Sequence, residues 1–135
     1  MSEVSEGARI CVAVALEKKA TDLVVLDVSE PVVIADFFII ATAQNKRQIQ
    51  AIVDETKRRM RAAGLAHEGH THVEGYDEGH WVLIDFGDVV VHLFDPPTRD
   101  YYELERVWAD APRVDWQEWF VERQRTPEDA AGQAG

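Results

Sequence analysis

Apolar residues recur along this chain in two rhythms, one suited to helices and one to strands. From about Ser5 to Lys19 the sequence is rich in Ala and Val and closes on Glu17-Lys18-Lys19. Cations at that end meet the negative pole of a helix dipole and favour a helix, although Val12–Val14 alone would also suit a strand. Thr21-Asp22 is a break. Leu23–Val28 is nearly continuous in apolar, β-branched residues, the pattern of a strand buried on both faces. Ser29-Glu30-Pro31 predicts a turn, and Phe37–Thr42 a second buried strand. Asn45 with Gln48 three residues on has the form of a capping box, Asn replacing the usual Ser or Thr. The helix that follows places Ile49, Ile52, Val53, Thr56, Met60 and Ala63 on one inward stripe, and Gly64 is expected to end it.

The second half is organised differently. His67 to His80 is polar and Gly-rich, with a short strand expected around Thr71–Val73. Trp81–Phe86 and Val89–Phe94 predict a hairpin, since Gly87-Asp88 suits a two-residue turn with Gly first. Asp95-Pro-Pro-Thr98 stops the second strand. A helix is then expected to run to about Ala109, with Tyr101, Leu104, Val107 and Trp108 on one side. Trp116, Trp119 and Phe120 mark a short amphipathic segment that could cover the body, meet a partner subunit or stay mobile. The Ala/Gly/Gln/Pro residues after it look disordered. Strands separated by helices, then a hairpin, imply an α/β domain: a mixed β-sheet with helices packed against it. It is expected to span residues 1–109, with 110–135 a partly disordered C-terminal extension.

The chain's 135 residues, 46% of them hydrophobic, fit one domain with a real core. Cys11 is the sole cysteine, so no internal disulfide forms and a reducing compartment is the natural home. The acidic start, Met1-Ser-Glu-Val-Ser-Glu, lacks the basic-then-apolar order of a signal peptide. No apolar run approaches the roughly 20 residues that span a bilayer. A cytoplasmic protein without membrane contact is expected. The net charge of −11 is unevenly placed, for six of the 14 Lys and Arg residues lie in 45–64. Residues 73–105 hold nine carboxylates against Arg99 alone. Such a surface repels nucleic acid, which argues against direct DNA binding, and steers basic proteins toward it.

Candidate chemistry is sparse. His67, His70 and His72 invite a zinc reading, but no cysteine is near and a fourth ligand (His80 or Glu74) must be assumed; a histidine-containing surface loop is the commoner role. His92, inside an apolar strand, reads as a packed and hydrogen-bonded histidine. Asp27, Asp36, Asp85 and Asp88 are the residue type that metal-dependent phosphoryl transfer uses. Neither an Asp-x-Asp pair after a Gly-Ser turn nor a Gly-rich phosphate cradle accompanies them. Ser2, Ser5 and Ser29 are the only serines, and none lies in a nucleophile-elbow context. The basic helix face (Lys46, Arg47, Lys57, Arg58, Arg59, Arg61) has no stacking aromatic between its charges and reads as solvated. No catalytic residue, metal or cofactor is therefore expected. The alternatives kept open are a metal-dependent nucleotidyl transferase or hydrolase using Asp27, Asp36 and Asp85, and an RNA-binding ribosome assembly factor using the basic helix.

The aromatics are stronger candidates. Trp81, Phe86, Tyr101, Tyr102 and Trp108 gather around the hairpin and last helix, and Trp and Tyr dominate binding hot spots. Trp108 and one tyrosine are expected in the core, and Trp81 at least partly exposed.

Four blocks then resemble the ribosomal silencing factor (Iojap-like) family. They are Lys18–Val28, Asp36–Thr42, Trp81–Phe94 and Arg99–Trp108, with Val73-Glu74-Gly75 preceding the third. The match runs over residues 5–109 in order, and the last two blocks together are specific. Ala43 and Asn45 stand where the family more often has Gly and Ser. The resemblance implies a fold similar to nucleotidyltransferases in outline but without their active site. It also implies binding to a large-subunit ribosomal protein at the inter-subunit face, which blocks joining of the small subunit and represses translation. Trp81, Asp85, Phe86, Arg99, Tyr101, Tyr102 and Glu105 are the expected contact region. The carboxylates among them would pair with a basic ribosomal protein. Whether the chain forms a homodimer stays open.

Overall fold

In chain order the elements are α1 (Glu6–Glu17), β1 (Thr21–Asp27), β2 (Phe37–Thr42), α2 (Lys46–Ala62), β3 (His72–Glu74), β4 (Trp81–Asp85), β5 (Val89–Phe94), α3 (Pro96–Tyr102), α4 (Leu104–Val107) and α5 (Gln117–Gln124). The computed structural model describes residues 5–30, 35–66 and 69–124, the side chains of 121–124 excepted. Pro31, His67 and residues 125–135 therefore lie outside the described residues, along with the expectations that fell on them.

Local signals explain most boundaries. Ser5 caps α1 by accepting from the Ala8 N–H at 3.1 Å, and Val12–Val14 is helical. Asn45 caps α2 by accepting from the Gln48 N–H at 2.9 Å. Gln48 reaches back to the N–H of Gln44 rather than of Asn45, and its amide also donates to the Lys18 and Lys19 carbonyls. One side chain thus joins the start of α2 to the end of α1. The inward stripe of α2 holds from Ile49 to Met60, but Ala63 is the C-cap and is exposed. Gly64 follows at φ +77°, the left-handed geometry that closes a helix.

The five strands form one mixed sheet in the order β1-β2-β5-β4-β3, with β2 and β5 parallel and the other pairs antiparallel. Gly87, at φ +101°, makes the tight turn between β4 and β5, where Phe86 N–H bonds Val89 O at 2.9 Å. A side chain there would be strained, as expected for Gly at the first turn position.

Strand alternation divides the core. Val25, Ile39, Ala41, Val82, Ile84, Val91 and Leu93 pack with α1 and α2 in the larger cluster. Leu26, Val28, Phe38, Ile40, Val90 and Phe94 form a smaller cluster on the opposite face, edged by the half-buried Trp81, Leu83, Leu104 and Trp108.

Two features depart from expectation or resolve it. The helix after β5 is not continuous to Ala109: Glu103 adopts φ 48° and separates α3 from α4. The segment 112–120 covers the body. Asp27 N–H bonds Pro112 O at 2.9 Å and Val114 N–H bonds Val25 O at 2.8 Å, so it lies along the outer edge of β1. Trp116 donates its indole N–H to Leu23 O, and Trp119 is buried with its ring edge-on to Phe37. An uncovered edge strand invites pairing with other chains, and this segment shields it.

A candidate docking site at one end of the sheet

The site is built where β4 begins and β5 ends. Trp81 stands opposite Phe94 in the antiparallel register, with their rings 4.9 Å apart. Its indole Nε1 donates to Nδ1 of His92 at 3.2 Å. Tyr102 lies 4.8 Å from the Trp81 ring, and Tyr101 meets Tyr102 edge-on at 4.9 Å. The set runs continuously from core to solvent: Phe94 is fully buried, Trp81 half-buried, Tyr102 50% exposed and Tyr101 79% exposed. Ring pairs at these separations attract one another and add to the area that each ring buries.

The short helix α3 presents the tyrosines. Asp95 caps it by accepting from the Thr98 N–H at 3.0 Å, and two prolines in the first turn need no N–H partner there. Asp95 also bonds His80 at 2.7 Å. The far end is braced by Arg99, which donates to Thr42 Oγ1 at 2.7 Å and to both oxygens of Glu105 at 3.3 and 2.8 Å. These hydrogen bonds hold the Glu105 carboxyl below its usual range. The bend at Glu103 then turns Leu104 and Trp108 inward, with Trp108 5.1 Å from Phe38, and leaves both tyrosines outside.

The expected contact residues are therefore brought together only in part. Trp81, Tyr101 and Tyr102 form one patch. Arg99 and Glu105 bind each other and brace the patch from below. Phe86 is a correction: only 7% exposed, it belongs to the helix-covered core and offers no surface. Asp85 shares the outer face of β4 with Trp81 but lies four residues away, about 13 Å along the strand, and accepts from Gly87 N–H at the hairpin turn. The expectation of one core tyrosine is also corrected, since neither is buried, while Trp108 is half-buried. Leu83 was missed, although the two-residue period from Trp81 points to it. Val107, 73% exposed, was expected on the same side of one helix as Leu104 and Trp108, but the helix breaks at Glu103 and Val107 faces solvent while those two are half-buried.

Elsewhere several titratable groups are engaged locally. Asp27 accepts from the N–H and hydroxyl of Ser29, which lower its pKa. Asp36 N–H bonds the Asp88 carbonyl. His72 pairs with Glu74. Among the described residues no three His, Cys, Asp or Glu side chains gather as a metal would require. Burial pushes the Cys11 thiol up, away from the reactive thiolate. The basic face of α2 is partly neutralised by ion pairs of Arg58 and Arg59 with Glu55, and of Arg59 with Glu17.

The fold is thus a small mixed α/β sheet, covered by α1 and α2 on one face and bearing an exposed aromatic patch at one end of the other. Residues 1–134 match the family model "Ribosomal silencing factor during starvation". The chain is 43% identical over 99 residues to the ribosomal silencing factor of Halalkalibacterium halodurans, covering 73% of this chain and 82% of that protein. Identity to the Bacillus subtilis ribosomal silencing factor is 40% over 107 residues, covering 79% and 88% respectively. A crystal structure of a Chromobacterium violaceum protein superposes with a TM-score of 0.73 at 32% identity, covering 80% of this chain and 88% of that one. The chain belongs to the ribosomal silencing factor family.

Proposed function

We propose that the protein is a steric anti-association factor: it binds a basic protein of the large ribosomal subunit at the inter-subunit face, and its body blocks joining of the small subunit. The observation that carries this reading is the exposed run of Trp81, Tyr102 and Tyr101 on the thinly covered sheet face. Rigid aromatics of this kind anchor interfaces with little loss of side-chain freedom. Carboxylates flanking the tyrosines, the exposed Asp100 and Glu103, complement a basic partner and discourage adsorption to RNA. Repression of translation follows from occupancy, with no chemical step.

The test is co-sedimentation with purified large subunits, followed by light scattering as small subunits are added. The expected result is stoichiometric binding that suppresses joining. Removing a central anchor typically costs on the order of 2 kcal/mol or more, so Trp81→Ala should weaken binding at least tenfold with an unchanged far-ultraviolet dichroism spectrum. A folded Trp81→Ala protein that binds like the wild type would overturn the assignment of this face.

A further inference from the structure

We propose that His92 is the positioning residue of this docking surface: by accepting the Trp81 indole N–H it sets the orientation in which Trp81 meets its partner. The inference rests on the docking reading and adds a residue that never touches the partner. An indole N–H can only donate, so Nδ1 of His92 must be the acceptor and the ring's proton sits on Nε2. That Nε2 is buried and has no hydrogen-bond partner among the described residues. Its neighbours along the strand (Val89, Val90, Val91, Leu93 and Phe94) are all apolar. A leucine here would fill space without stranding a buried donor, so a histidine needs a reason. The bond to Trp81 supplies one.

The surroundings let the bond act as a lever. His92 is only 4% exposed and is held by Phe38, edge-on at 4.9 Å, and by Phe94, stacked at 6.4 Å. Packing against both rings restricts the imidazole, and with it the direction of its acceptor. Trp81 is half-buried and would otherwise choose among indole rotamers. Tying its N–H to the sheet core selects one before binding, which reduces the ordering cost of docking.

Three variants test this: His92→Leu, which removes the acceptor; His92→Asn, whose Oδ1 stands about where Nδ1 does; and Trp81→Phe, which removes the donor. The free protein is read by the nitrogen–proton resonance of the Trp81 side chain, identified by its loss in Trp81→Phe, and by that proton's exchange with water. Affinity for large subunits is read by co-sedimentation. In His92→Leu the indole resonance should shift, its exchange should quicken by at least tenfold, and binding should weaken about five- to tenfold; His92→Asn should recover most of both. An indole resonance unmoved in a folded His92→Leu protein overturns the inference whatever binding does. A released indole with wild-type binding also overturns it, provided Trp81→Ala binds weakly. If Trp81→Ala itself binds normally, the docking reading has failed and the inference falls with it.

Discussion

The two faces of the sheet use the same alternating strands and come to opposite ends. On one face Ile39, Val91, Val82 and their neighbours meet α1 and α2 and are lost to solvent. On the other, Phe38, Ile40 and Phe94 pack with Val28 and Ala35, and among the described residues Leu104, Trp108 and Ala111 close over them in part. Toward β4 that cover stops, and Trp81 and Leu83 are left half-buried with Tyr102 and Tyr101 outside. Burial contributes roughly 25 cal/mol per Å² of apolar surface, so a domain gains by covering such a face. An aromatic patch left open and held in shape by a brace is better suited to meeting another surface than to stabilising its own.

The largest effect should come from the covered face. Ile39 is fully buried, and Ile39→Ala should cost about 2–5 kcal/mol in urea unfolding, because the cavity adds to the lost transfer energy. Leu83→Ala, on the open face, should cost less than half as much. Equal losses would mean that the two faces carry equal burdens, and the contrast would fail.

Next in size is a pH effect from the boundary between the faces. Burial lowers the His92 pKa from 6.5 to about 4. Between those values the unfolded chain holds more protons than the folded one, so stability rises with pH across the window. Acidification from pH 6.5 to 4 should remove up to about 3 kcal/mol through this group. The ring neighbours of His92 are Phe38, Trp81 and Phe94, none of which titrates here. Subtracting the stability–pH curve of His92→Leu from that of the wild type isolates the contribution; a flat difference would refute it.

The brace gives a smaller effect. Arg99→Ala strands the half-buried Glu105 and frees Thr42, at a cost of about 1–3 kcal/mol. Its signature is mixed, since it should weaken binding as well as stability by loosening α3. Thermal melts and co-sedimentation on the same sample check both. Lost stability with unchanged binding would mean that the tyrosines do not depend on the brace.

What could be read from sequence follows the range of the interactions involved. Ala63 fell outside the α2 stripe and Gln48 reached Gln44 instead of Asn45, but the stripe as far as Met60, the Asn45 cap and the Gly87 turn are local, and each appeared where expected. So did the resemblance that placed the fold and family. The break at Glu103 was hidden, because the contacts that accompany it, Arg99 to Thr42 on β2 and to Glu105 on α4, join residues far apart in the chain or across the break itself. Phe86 was assigned to the docking surface with Trp81 because both are aromatic and close in sequence. Residues an odd number apart on a strand point to opposite faces, and a strict reading of that period would have separated them. The roles of Trp116 and Trp119 required knowing that the segment returns to the edge of β1, a contact across some ninety residues (Trp116 to Leu23 is 93 apart).

The smallest stability effect is the most discriminating. Tyr101 is 79% exposed, and its described ring contact is with Tyr102 alone. Its truncation should change folding stability by less than about 0.5 kcal/mol, as surface substitutions usually do. If the open face exists for docking, Tyr101→Ala should nevertheless weaken large-subunit binding several-fold, whereas truncating Val107, also exposed but on α4, should have less effect. Stability and affinity then part company at a single residue, which is the property that separates the two faces. A Tyr101→Ala protein that melts and binds as the wild type would move the docking contact inward, to Trp81 and Leu83. One that loses stability by 2 kcal/mol would show that the tyrosine is structural after all.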